Sequence, residues 1–171
     1  TEADCLDLNV EDGGLLGWVL EGDARVVTHL GETLPLEGDK MLLLSTGLGF
    51  TTQVGEATFA NCLPEGDWHL AFKYKFFSEE LTEYCGSQFQ DGLIVEAYSA
   101  LEQEDAEIST ELYSVYVNDV CAPTDGNCGQ DECGSKYVGL QPSDVAFDQG
   151  GVFHTPWVEV IVPLSEVVNG D

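Results

Sequence analysis

The sequence predicts an all-β protein, a disulfide-stapled β-sandwich of jelly-roll type. Three observations carry this expectation. Helical periodicity is almost absent, short runs alternate apolar and polar residues, and Gly, Asp, Asn and Pro punctuate them. Short strands with irregular connections point to two packed antiparallel layers.

The runs lie near Cys5–Val10, Gly17–Leu20, Arg25–Leu30, Lys40–Ser45, Glu56–Leu63, Trp68–Phe77, Gly92–Tyr98, Glu111–Val117 and Val158–Pro163. The clearest is WHLAFKYKFF. Leu70, Phe72, Tyr74 and Phe76 fall on one face, and His69, Ala71, Lys73 and Lys75 on the other. In ELYSVYVNDV, Leu112, Ser114 and Tyr116 alternate with Tyr113, Val115 and Val117. The motif Glu-Gly-Asp precedes a hydrophobic run at 21–23, 37–39 and 65–67. The unequal spacings argue for turn chemistry, with Gly supplying positive φ and Asp bonding the local backbone, rather than a repeat. Residues 122–150 hold no convincing strand. A loop this long is stapled, functional or both. A short helical turn is expected around Gln141–Asp144, capped by Ser143 or Asp144. After WVEVIVPLSEVVNGD a sandwich calls for one more strand. Either the N-terminal strands close that edge, or another chain supplies a strand.

At 171 residues, with 43% hydrophobic and 10% aromatic residues, the chain suits one folded domain spanning 1–171. The net charge is -27, from 32 acids against five bases. That balance leaves nothing to neutralise phosphates and disfavours an anionic bilayer, so neither nucleic acid nor direct membrane insertion is expected. No apolar run is long enough to span a bilayer. Such self-repulsion is tolerable if divalent cations bind, if the surroundings are saline, or if charge serves solubility.

The six cysteines, in an acidic and lysine-poor chain, indicate disulfides and an oxidising compartment. Sequence does not choose among pairings. The expected set is Cys128–Cys133 as a local staple, Cys85–Cys121, and Cys5–Cys62. The spacing of Cys121, Cys128 and Cys133, with no histidine nearby, does not make a zinc knuckle. The chain opens with polar Thr1-Glu2-Ala3-Asp4, as a processed secreted protein does.

The stretch FFSEELTEYCGSQFQDG concentrates the chemistry. A glycoside hydrolase needs two carboxylates facing one sugar, one with a raised pKa, and neighbouring acids in so negative a chain do not show that. The three histidines fall in different segments, and no nucleophile elbow or phosphate loop is present, so no enzyme is expected. Calcium fits better, because it takes six to eight hard oxygens from carboxylates and backbone carbonyls. Glu80 and Asp91 are the first candidate ligands, followed by Glu79, Glu11, Asp12 and Asp148. No EF-hand loop is present, since DGNCGQDECGSK ends on Lys136. The alternative is that these acids merely solvate a loop. Within the stretch, Cys85 is expected to anchor, and Tyr84 and Phe89 to plug the core edge. Trp68 is expected in the core. Trp157, with Tyr113, is the candidate aromatic platform for a glycan.

FKYKFFSEELTEYCGSQFQDGLIV resembles the signature of the bacterial extracellular choice-of-anchor domains, type L in particular. The matching positions are Ser78, Glu79, Glu80, Glu83, Tyr84, Gly86, Ser87, Phe89 and Asp91. Leu81 and Cys85 depart from it, standing where the family has an aromatic and an aliphatic residue. LLLSTG and FDQGGVFHTPW are weaker echoes. The resemblance implies a β-rich domain, secreted and displayed on a cell surface by a separate anchor, which this sequence does not show. It implies no ligand. The functional expectation is a non-catalytic domain for adhesion or extracellular structure, stabilised by Ca2+, whose partners are a glycan, a surface protein or copies of itself. The rival roles are a carbohydrate-binding module and a filament subunit assembled by strand exchange.

Overall fold

Alternation in the sequence becomes hydrogen-bonded ladders. A computed structural model describes residues 8–11, 17–47, 54–59, 66–81, 84–98, 109–121, 140–147 and 151–164. These are mostly β, with one short helix. Backbone proximity divides the chain into two compact units, Thr1–Cys62 with Phe147–Gln149, and Leu63–Ala146 with Gly150–Asp171.

The first unit contains β1 (Trp18–Glu21), β2 (Asp23–Val27), β3 (Met41–Ser45) and β4 (Glu56–Phe59). β1 runs antiparallel to β4, with Trp18 opposite Phe59, and β2 runs antiparallel to β3, with Asp23 opposite Ser45. The Trp18 ring meets Phe59 edge-on at 5.2 Å. β1 and β2 are separated by Gly22 alone, at φ +62°. A Cβ there would run into the Val54 carbonyl, so only glycine both turns the chain and admits this approach. Gly38 sits likewise at φ +65°, against the Glu11 carboxylate. The glycine half of the Glu-Gly-Asp expectation therefore holds here. The aspartates behave differently. Asp39 donates its backbone N–H to Glu11, and the Asp23 carboxylate meets Arg25 at 3.2 Å.

The second unit contains β5 (His69–Tyr74), β6 (Phe77–Ser78), β7 (Gly92–Tyr98), β8 (Ser109–Tyr116), α1 (Val117–Val120), β9 (Gln141–Pro142), β10 (Phe153–His154) and β11 (Val158–Pro163). β5 and β11 form one antiparallel ribbon, with Tyr74 opposite Val158. β7 and β8 form another, with a bulge beside Glu96 that leaves Leu112 unmatched. β10 lies between β6 and β9 in a small third sheet.

The two ribbons share one core. Phe72, Tyr74, Val158, Val160 and Val162 come from the first, and Leu93, Tyr113 and Val115 from the second. The Tyr113 ring lies 5.9 Å from Phe72 and 5.8 Å from Tyr74, and the two tyrosine hydroxyls are 2.7 Å apart. Burial, then the Tyr113 contact, pushes the Tyr74 phenol well above its ordinary pKa, so it stays protonated. Leu81, Val117, Val120 and Cys121 complete the core.

The structure corrects several boundaries. The run from Trp68 to Phe77 splits into β5 and β6. At the break, the Phe76 N–H donates to Thr155 Oγ1 and its carbonyl accepts the Thr155 N–H, both at 3.0 Å. Gln141–Pro142 pairs as a strand with Phe153–His154 instead of starting a helical turn. Ser143 still bonds locally, its Oγ accepting the Val145 N–H. Val117, expected to end a strand, begins α1. Trp68 is half-buried rather than central to the core. Leu8–Val10 carry no strand, and Cys5 lies outside the described residues.

Leu81 is 1% exposed although it sits in a connection between strands. Leu81→Ala is expected to cost about 2–5 kcal/mol through lost burial and the cavity left behind. Urea unfolding checks this, as a lower midpoint at unchanged slope.

Candidate functional site

The corner from Phe76 to Gly92 is built by its hydrogen bonds and one covalent bond. The Ser78 side chain, 3% exposed, accepts the Glu80 N–H at 2.9 Å and starts the turn. The Tyr84 N–H reaches back to the Glu80 carbonyl, and the Ser87 N–H to that of Tyr84. Cys85 then bonds to Cys121, which is fully buried behind α1.

The corner also caps α1. The first N–H groups of a helix lack intrahelical acceptors. Here the Val117 N–H donates to the Asp91 carbonyl at 3.0 Å, and the Asn118 N–H to Gln90 Oε1 at 2.7 Å. In return, the Gly86 N–H donates to Asn118 Oδ1 at 2.6 Å. The Tyr116 N–H is taken by Asp119 Oδ2 at 2.9 Å. Gln90, Asn118 and Ser78 therefore hold the corner, and none was singled out from sequence for that role. The one signal for Asn118 was the polar Asn-Asp pair that breaks the alternation of ELYSVYVNDV.

This frame brings Glu80 and Asp91 together across 11 residues of chain, the Asp91 N–H lying 3.4 Å from Glu80 Oε2. Both acids are half-buried. Burial raises the Glu80 pKa, the neighbouring Asp91 charge raises it further, and the Asp91 N–H offsets part of the rise. Burial raises Asp91 as well. Each carboxylate thus lacks the solvation its charge needs.

The remaining candidates lie elsewhere or in other roles. Glu79 is half-buried beside Glu80. In the first unit, the Glu11 carboxylate accepts the N–H groups of Asp39 and Lys40 at 2.9–3.1 Å, while Lys40 Nζ donates to the Glu11 carbonyl at 2.7 Å. Its oxygens hold a turn. Asp12 and Asp148 lie outside the described residues, as do Cys128, Cys133, Cys5 and Cys62. Among the described residues, no group of three or more His, Cys, Asp or Glu is placed to hold a metal.

Two aromatic expectations change. Tyr84 and Phe89, 38% and 59% exposed, meet edge-to-face at 6.1 Å on the outside of the corner instead of plugging it. Leu81 and Cys85 do the plugging. Tyr113 packs its ring against the core. Trp157 is half-buried, and Lys75 Nζ stands 5.4 Å from the centre of its ring, over a face a sugar would need.

Comparison with known protein families, curated proteins and solved structures gave no match to this chain. No described helix is long and apolar enough to cross a membrane.

Two measurements probe the corner. Replacing Cys85 and Cys121 together by Ser frees a loop of sequence separation 36, an expected loss of about 2–4 kcal/mol in denaturant unfolding. The second concerns pH. A carboxyl whose folded-state pKa is raised binds its proton more tightly when folded, so its stabilising contribution is full below the unfolded pKa and is lost as pH rises through the folded one. Glu80 and Asp91 both shift in that direction. Without divalent cations, Glu80→Gln is expected to raise the melting temperature at neutral pH. It should also flatten the fall in melting temperature expected as pH rises above about 4, the ordinary carboxylate range.

Proposed function

We propose that this chain is a secreted or cell-surface, non-catalytic β-sandwich domain of jelly-roll type, serving adhesion or extracellular structure, with calcium held at the Glu80–Asp91 corner. The observation that carries the cation reading is the pairing of two half-buried carboxylates, both with raised pKa, on a corner braced by the Cys85–Cys121 bond. A divalent cation supplies the opposite charge that this pair lacks. Calcium accepts such a partial set of protein ligands, because backbone carbonyls and water complete its shell. A rigid frame also lowers the ordering cost of binding.

Location rests on three supports. The disulfide fits an oxidising compartment. The excess of acids suits a saline exterior, where repulsion is screened. The corner residues Ser78, Glu79, Glu80, Gly86 and Asp91 are also those that resemble the choice-of-anchor signature.

Thermal melting with calcium and with chelator tests the cation. A ligand that binds only the folded state at a hundredfold excess over its Kd adds about 2.7 kcal/mol. For a chain of this size that corresponds to roughly 5–10 °C. The gain is expected in the wild type and is expected to vanish in Glu80→Gln and in Asp91→Asn. An unchanged wild-type melting temperature at millimolar calcium would sink the proposal.

A further inference from the structure

The two ribbons of the second unit share one core, and each keeps an exposed face of its own. Those faces differ in kind. On the β5–β11 ribbon, Lys73 lies opposite Glu159, Ala71 opposite Ile161 and His69 opposite Pro163. All six are exposed, Ile161 at 60%. The Lys73–Glu159 ion pair spans 3.8 Å, with side chains 43% and 59% exposed, and an exposed pair of this kind contributes little to stability. Lys75, just past the end of β5, stands over Trp157. Among the described residues of this unit, Lys73 and Lys75 are the only lysines or arginines.

The outer face of the β7–β8 ribbon is the counterpart. Glu96 stands directly opposite Glu111, and both are exposed. Like charges placed so destabilise a strand pair. No basic side chain among the described residues pairs with either. Tyr98 and Ser109 direct their hydroxyls to Glu96, which solvates that acid without neutralising it. Ile94 and Tyr98, 49% and 47% exposed, flank the acids.

We infer that the Lys73–Ile161 face of one molecule docks on the Glu96–Glu111 face of a second copy. The lysine meets the uncompensated acids, and Ile161 meets the apolar flank of Ile94. In a chain of net charge -27, most surfaces of two copies repel, so this pairing also selects the mutual orientation. Because the two faces are different, the contact is heterologous. It leaves one free face of each kind, so association propagates head-to-tail beyond a dimer. This inference is independent of the calcium proposal.

Sedimentation velocity in chelator at low salt tests it. The wild type is expected to associate with rising concentration, and salt at about 0.5 M, where the Debye length falls to a few ångströms, is expected to disperse it. Lys73→Glu alone and Glu111→Lys alone are each expected to weaken association at least tenfold. Both positions are exposed, and a thermal melt checks that each variant is folded. Mixing the two variants in equal amounts restores association, because the acidic face left intact in K73E meets the lysine face left intact in E111K. A wild type that stays monomeric at high concentration and low salt overturns the inference. So do single variants that associate like the wild type, or a mixture that remains monomeric.

Discussion

The bond between Cys85 and Cys121 is the constraint on which the second unit's distinctive features depend. Cys121 is wholly buried at the end of α1, and Cys85 belongs to a corner that carries little regular structure of its own. Joining them seats the corner on the core. Once seated, it supplies the acceptors that a four-residue helix lacks, through the Asp91 carbonyl and Gln90 Oε1. Such a helix gains almost nothing from its own hydrogen bonds. Its stability comes from these caps and from burying Val117 and Val120. The same seating sets Leu81 into the core and holds Glu80 near Asp91.

Charge is the second organising constraint. A chain of net charge -27 has to place its acids where repulsion is tolerable or useful. The fold uses three solutions. Glu11 is spent on backbone N–H groups at the Gly38 turn, where each oxygen gains a donor. Glu80 and Asp91 are drawn partly out of water, which leaves them short of counter-charge. Glu96 and Glu111 are set opposite each other on a strand pair in solvent. The few bases are placed as deliberately. Arg25 meets Asp23, Lys40 binds the Glu11 carbonyl, Lys73 lies on the outer face of β5, and Lys75, just past its end, stands over Trp157.

Much of the β architecture was legible because a strand's alternation is local. The inward set Leu70, Phe72 and Tyr74 and the outward set His69, Ala71 and Lys73 follow from period two and burial alone. The turn role of Gly22 and Gly38 was legible because positive φ is an intrinsic backbone preference. The elements that escaped are those made by distant partners. Phe76 leaves its strand because Thr155, 79 residues away, offers both a donor and an acceptor. β9 and β10 are two-residue strands that exist only through each other and β6. Tyr84 and Phe89 carry as much apolar surface as Leu81, and only the path of the corner turns them outward.

By itself, then, the sequence determined the β character, the strand faces, the glycine turns, the acidic field and the residues worth watching in the corner. Each of these rests on composition or on neighbours a few positions apart. Only tertiary structure decided which cysteine partners Cys85, that Glu80 and Asp91 share one site while Glu11 is spent elsewhere, and that Trp157 has a lysine over its ring. Those outcomes depend on which segments meet in space, and loop-closure entropy depends so weakly on length that no spacing in the chain reveals them.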